Sequence, residues 1–338
     1  MNINVYDEIA ANDRKTIIIL LAFPVAFFIT VFLFSYLYAF VSGSFDLILS
    51  RSYRANTELL SQFRAQGAGV FIFNQALQLT LKVYPWIFII ICIWLTFSYY
   101  KGGSMMLNVA KARPVTIEEN RELFHLVENT AIMIGLPTPQ IYLIEDESLN
   151  AFATGRTPDT SSIALTDGIV KKLDKAELQA VIAHELAHIN NRDTRLMLIT
   201  IAGIGCFIFL GEFLFRAASH GNRGKGAFLS LILGAACLVF GYIVAPILRF
   251  ALSRRREYQA DATAAQITRD PEALVRALYK ISVNPRVESL DSIRLIANIC
   301  IANPAKAGLL TGLYLTHPPI EDRIAGLTRM TIAGKRHF

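Results

Sequence analysis

The chain has 338 residues, enough for one large or two ordinary domains. With 53% hydrophobic residues, only 18% charged ones and a mean hydropathy of +0.41, it is too apolar for a soluble enzyme of this size. A net charge of +6 raises the question of nucleic acid. The basic residues, however, sit beside apolar runs, as at Arg249, Arg254, Arg255 and Arg256. Anionic lipid is therefore the expected partner, and no nucleic acid is expected.

Four runs carry the apolar excess: Ile17 to Val41, Val83 to Tyr100, Leu196 to Phe215 and Ala227 to Leu248. Each is near the ~20 residues that a bilayer-spanning helix needs. Tyr36, Tyr38, Trp86, Trp94, Tyr99 and Tyr100 fall mostly near their ends, as interfacial aromatics do. The first run follows an acidic segment (Asp7, Glu8, Asp13) and lacks a clear small-residue cleavage site, so it reads as a retained anchor. Glu212 falls near the end of the third run, where a snorkelling interfacial acid is expected rather than a cavity-lining one. Cys92, Cys206 and Cys237 lie inside the runs and Cys300 outside them, with no spacing that suggests a disulfide framework or a cysteine metal site.

Four spans put the N-terminus, the segment from Lys101 to Arg195 and the tail after Arg249 on one side. The bias of Lys and Arg near the span ends makes that side cytoplasmic, so a bacterial inner membrane protein is expected. The expected organisation is an N-terminal hairpin (1–100), a first soluble segment (101–195), a second hairpin (196–248) and a second soluble segment (249–338). The fold class is α+β, mainly helical.

In the first soluble segment, an amphipathic helix is predicted over Thr116 to Ile134, closed by Gly135. Strands follow at Ile141 to Ile144, around Ala151 to Ala153 and at Ile163 to Leu165, with a turn at Gly155 to Asp159. A helix then starts after Asp174 and carries His184-Glu185-Leu186-Ala187-His188. Residues four apart share a helix face, so both imidazoles reach one zinc ion and Glu185 reaches the water on it. With only six histidines in the chain, chance is a poor source of this pattern. The motif helix is expected to run on through Asn191 to Arg195 into the third span. After the fourth span a helix is predicted from Leu252 onward, and another from Pro271 through Ile281.

A hydrolytic zinc keeps one open position and takes three protein ligands. Glu257 and Asp261, also four apart, supply the expected third ligand and a carboxylate that accepts the N–H of a ligating histidine. Without a metal, the same pair reads as a solvated acidic face answering Arg254 to Arg256.

Four motifs in order resemble the HtpX family of membrane-embedded zinc endopeptidases, which is related to the CAAX prenyl endopeptidases. They are Asn150 to Gly155, His184 to His188 with Asn191 to Thr194, Ser253 to Asp261, and Thr316-His317-Pro318-Pro319 with Arg323. The likeness runs from the first span to Leu327. The stretch from Ser42 to Lys82 departs from it, being longer than the short loop expected there. The resemblance implies a gluzincin-like site with His184, His188 and Glu257 on one Zn2+ and Glu185 as base. It also implies that His317 and Arg323 steady the oxyanion, and that Asn150, Ala151 and Phe152 form an edge strand pairing with an extended substrate. By themselves, His317 reads as a loop histidine, Arg323 as a surface or packing cation, and the Asn150 segment as an ordinary strand and turn.

The expected function is hydrolysis of misfolded or damaged membrane proteins, or of unfolded polypeptide, at the bilayer surface. Self-cleavage is in keeping with an exposed site of broad specificity. Processing of prenylated substrates, an intramembrane protease and a non-catalytic zinc scaffold are the competing readings.

Overall fold

A computed structural model of the chain describes residues 5–48, 67–220, 225–241, 245–283 and 318–335. The elements in order are α1 (Val5–Ile48), α2 (Ala68–Val109), β1 (Arg113–Pro114), α3 (Arg121–Ile134), β2 (Gln140–Ile144), β3 (Ala151–Thr154), β4 (Ser162–Thr166), α4 (Asp167–Lys172), α5 (Lys175–Asn190), α6 (Asp193–His220), α7 (Lys225–Val239), α8 (Ala245–Thr268), α9 (Pro271–Val283) and α10 (Ile320–Lys335). They divide into two compact units. One comprises Ile18–Thr96 and Gly203–Ile243, and the other Met1–Ile17, Phe97–Ala202 and Val244–Phe338.

The first unit is built of the apolar runs. Between lipid tails, helices gain nothing from hiding apolar surface, so association rests on close packing. Phe27 stacks on Phe207 with ring centroids 3.8 Å apart, and Phe240 lies 4.3 Å from Phe207. Gly203 leaves the space that Phe23 fills, since a Cβ there would sit 1.9 Å from the ring. Large side chains such as Leu21, Leu33, Trp86, Ile90 and Ile93 remain exposed, as lipid-facing residues do. Among the described residues, three helices are long and apolar enough to span a bilayer, within Ile9–Phe40, Ala68–Val109 and Asp193–Ser219. The fourth predicted run meets a shorter apolar helix, Ser230–Val239, and residues 242–244 lie outside the described ones. A count of four spans therefore stays an expectation. Much of the long predicted loop from Ser42 to Lys82 is helical, because α1 continues to Ile48 and α2 starts at Ala68.

The second unit holds a mixed sheet of order β1-β2-β4-β3, in which β2 and β4 are parallel and β3 lies antiparallel at the edge. Side chains alternate across a strand. One face (Ile141, Leu143, Ala151, Ala153, Ile163, Leu165) packs on α3 and on Leu178, Val181, Ile182, Leu186 and Ile189 of α5. The other face (Ile144, Phe152, Ala164) packs on Met106 and Leu107 at the end of α2 and on Ala110 just after it. The opposite side of α5 presents Ala180 and Ala183 to Ala264 of α8 and to Ala273 and Leu274 of α9. Small residues there allow the close approach that brings α8 to the motif helix.

Three predicted boundaries are corrected. The amphipathic helix begins at Arg121 rather than Thr116, because Asn120 caps it by accepting the N–H of Leu123. The helix predicted from Leu252 begins earlier, at Ala245. The motif helix does not run straight into the third span: it ends at Asn190, Arg192 takes a left-handed φ of 62°, and α6 begins at Asp193.

Candidate metal centre

The start of α5 is firmly fixed. Asp174 accepts the N–H of Glu177 while the Glu177 carboxylate accepts the N–H of Asp174, a reciprocal capping box. Glu177 is itself buried and takes Lys280 of α9 at 2.6 Å. From this clamp the helix carries His184, Glu185 and His188 into the interior, with His184 fully buried.

His184 and His188 place their Nε2 atoms 3.2 Å apart. Glu257, on α8, brings Oε2 to 3.6 Å from His184 Nε2 and Oε1 to 3.7 Å from His188 Nε2. Behind each ring stands a carboxylate: Asp261 Oδ1 lies 3.0 Å from His184 Nδ1, and Asp193 Oδ2 lies 2.9 Å from His188 Nδ1. Each Nδ1–H donates to its carboxylate, which leaves both Nε2 lone pairs facing inward. Three electron-rich groups thus converge, an arrangement that only a proton or a cation relieves.

These residues could hold a metal ion. Ligands ~2.0–2.1 Å from a tetrahedral zinc stand roughly 3.3–3.5 Å apart, close to the separations here. Burial and the Arg323 guanidinium oppose charge on His184, but hydrogen bonds with Asp261 and Glu257 outweigh them and raise its pKa to about 9. Without a metal, these partners thus favour the protonated form of His184.

Arg323, fully buried, donates to Asp261 through Nε at 2.9 Å and Nη2 at 2.6 Å. Although burial opposes it, this pairing brings the Asp261 carboxyl down to about 2 and raises the guanidinium. Nη2 also lies 3.4 Å from both ring nitrogens of His184. The structure thus brings His184, Glu185, His188, Glu257, Asp261 and Arg323 together, with Arg323 tied to Asp261. His317 lies outside the described residues.

A small cavity is lined by Ala153, Glu185, His188, Asp193, Thr194, Met197, Arg256 and Glu257. Asn150, Ala151 and Phe152 are not in its wall; Ala153, further along β3, is. Thr166 N–H donates to Asn150 O at 3.0 Å. Because paired residues in antiparallel strands alternate, the backbone groups of Ala151 and Ala153 point away from β4. The Ala151 N–H is already taken, by Asn150 Oδ1 at 3.0 Å.

Sequence reasoning gave no role to Asp193, Asn12 or Arg256. Asp193 accepts from His188, from Asn12 Nδ2 at 2.9 Å and from Arg256 Nη1 at 3.4 Å. Asn12 Nδ2 also donates to Asn191 O at 2.8 Å. The left-handed turn at Arg192 is what sets Asp193 back under His188. A carboxylate five residues after the second histidine was a usable signal, whereas Asn12 carried none.

The pattern of peptidase family M48 matches residues 118–331. A Protease HtpX homolog of Bacteroides fragilis (strain YCH46) is 40% identical over 260 residues, covering 73% of this chain and 80% of that protein. A Protease HtpX homolog of Dictyoglomus thermophilum is 36% identical over 333 residues, covering 96% and 94%. The crystal structure of S. mikatae Ste24p is 18% identical with a TM-score of 0.48, covering 86% of this chain and 67% of that one. On the family pattern and the two HtpX homologues, and with long apolar helices and a site able to hold a metal, the chain belongs to peptidase family M48, among the HtpX homologues, and is a membrane metalloprotease.

Proposed function

We propose that the chain is a zinc endopeptidase that cuts misfolded or damaged membrane proteins at the cytoplasmic surface of a bacterial inner membrane. The observation that carries this is the convergence of His184, His188 and Glu257, with Glu185 in the wall of the same cavity. Two imidazoles and a carboxylate suit zinc. His184, His188 and Glu257 would hold one zinc per chain, which would supply Lewis-acid polarisation of the scissile carbonyl and acidification of water toward a pKa of ~7.

Glu185 takes a proton from the attacking water on its carboxylate and returns it to the leaving amine nitrogen. Asp261 and Asp193 hold the two rings in the tautomer whose Nε2 faces the cation. His317 is assigned to the developing oxyanion, and Arg323 adds positive charge from the Asp261 side. The outward backbone of β3 beside the cavity supports strand pairing by an extended substrate, which needs no particular side chain and suits broad specificity. Asp193 heads the helix that carries the third apolar run, and α8 reaches Glu257 eight residues beyond Arg249. This nearness along the chain supports cleavage of segments leaving the bilayer, and it makes self-cleavage an expected side reaction.

The test is detergent-purified protein assayed on unfolded casein with metal analysis in parallel. Glu185→Gln lowers turnover by about 10²–10⁴-fold while metal content stays unchanged. Near wild-type turnover in the metal-loaded variant would overturn the assignment of the base. Glu257→Ala lowers zinc occupancy instead, and undiminished zinc would point to another third ligand.

A further inference from the structure

Away from the metal centre, a second cavity of about 280 Å³ opens against the far face of the sheet. Its wall is polar and includes Tyr100, Ser104, Tyr142, Arg156 and Thr160, with Asp159 at one side. Arg156 stands over the ring of Tyr100 at 4.6 Å and near that of Tyr99 at 5.8 Å. It makes no hydrogen bond or ion pair with any described residue, so all five N–H donors of its fork are unspent.

The loop that holds Arg156 is closed by its own hydrogen bonds. Gly155 has φ +135, and a Cβ there would meet Ser161 Cα at 2.6 Å, so glycine is what lets the chain fold back against β4. Thr157 and Thr160 then tie the turn through a reciprocal capping box. The cation is thus held over the aromatic pair by a built loop rather than by a free side chain.

Tyr99 and Tyr100 close the apolar run of α2 and are followed by the exposed Lys101. From Tyr99 to Ser104 the helix rises about 7.5 Å. That matches the depth of one headgroup layer, roughly 5–8 Å from the difference between total and hydrocarbon thickness. A planar guanidinium with unspent donors, ringed by hydroxyls at that depth, suits a phosphate diester. We propose that this cavity binds the phosphate of an anionic membrane lipid, with Arg156 as its principal ligand. An acidic peptide side chain reaching past Thr154 is the rival occupant, and the position at the end of the apolar run favours lipid.

The experiment measures binding of dihexanoyl-phosphatidylglycerol to the full chain in neutral detergent, beside inorganic phosphate and an acidic model peptide. Wild type binds the lipid and binds inorganic phosphate at least ten-fold more weakly. Arg156→Gln weakens lipid binding at least ten-fold, Arg156→Lys retains part of it, and Lys175→Gln, at the start of α5, leaves it unchanged. Asp159→Asn, which removes the opposing charge, tightens it, and carries the test if Arg156→Gln fails to fold. Equal lipid binding by Arg156→Gln and wild type overturns the proposal, as does unaltered binding by Asp159→Asn. Inorganic phosphate binding as tightly as lipid would make free phosphate the ligand. A raised KM for the acidic peptide in Arg156→Gln, with lipid binding intact, would make the cavity a substrate subsite. Either result sinks the lipid assignment.

Discussion

The two histidines of the motif helix are supported in the same way but at different depth. His184 is fully buried, its carboxylate is Asp261, and that carboxylate is neutralised by the fully buried Arg323 through two hydrogen bonds. His188 is 14% exposed, and its carboxylate, Asp193, is shared between Asn12, an uncharged amide, and Arg256 at a longer 3.4 Å. The first support is a closed ion-pair stack in low dielectric; the second is a distributed network beside the cavity. Removing a partner should therefore be far more damaging on the His184 side, where no water can replace it.

The largest effect is expected from Arg323→Ala. It leaves Asp261 buried without its cation, and breaking a buried pair in this way costs about 3–5 kcal/mol. Thermal unfolding in detergent should show a marked loss of stability along with lost metal. Arg256→Ala leaves Asp193 its bonds to Asn12 and His188 and should cost much less. Equal losses in the two variants would erase the distinction between the supports.

Next come the carboxylates themselves. Asp193→Asn should weaken metal binding about 10–100-fold, as removal of a histidine's orienting carboxylate does. Asp261→Asn should lose at least as much, because it also strands Arg323. Competition with a metal chelator measures both, and a smaller loss for Asp261→Asn would reverse the ranking.

Proton linkage sharpens the same contrast. In the metal-free protein His184 has its pKa raised from 6.5 to about 9 by Asp261 and Glu257, against burial and Arg323. Its protonated form then stabilises the metal-free fold fully below pH 6.5, and that contribution is lost as pH rises through about 9. A metal must displace this proton, so affinity should rise about tenfold per pH unit up to about pH 9 and then level off. Calorimetry in buffers of different ionisation enthalpy counts the proton released. Affinity independent of pH between 6.5 and 9 would show that His184 is neutral before the metal arrives.

What could be read from the sequence is what spacing encodes. His184 with His188 and Glu257 with Asp261 are four apart on helical patterns, and they do lie on α5 and α8. The sheet strands were legible too, because their apolar runs are bounded by Gly, Pro and Asp. Two-residue β1 was not, being too short to show alternation. Arg323 illustrates a different limit: by itself it reads as a surface or packing cation and, through the family, as an oxyanion donor. Its burial against Asp261, 62 residues away, depends on how α10 packs. The break at Arg192 was hidden because nothing in Asn191-Arg192-Asp193 is a helix breaker. The carboxylate–histidine bond that it allows accompanies the left-handed residue there.

The smallest expected effect belongs to the residue that local pattern could not reveal at all. Asn12 lies 181 positions from Asp193, on the helix that leads into the first apolar run, yet it is 1% exposed and bonded to both Asp193 and Asn191 O. Asn12→Ala removes two hydrogen bonds but leaves His188 and Arg256 on Asp193, so the loss is about 1–2 kcal/mol. If Asn12 only anchors the N-terminal helix, stability falls and metal affinity does not. If it also steadies Asp193, affinity falls several-fold, and Asn12→Asp, which sets a second carboxylate against the first, does worse than Asn12→Ala. The geometry favours the second outcome, because the amide nitrogen that holds the backbone of Asn191 is the one that holds the carboxylate under His188. Unchanged metal affinity in both variants would restrict Asn12 to anchoring, and the His188 support would then rest on Arg256 alone.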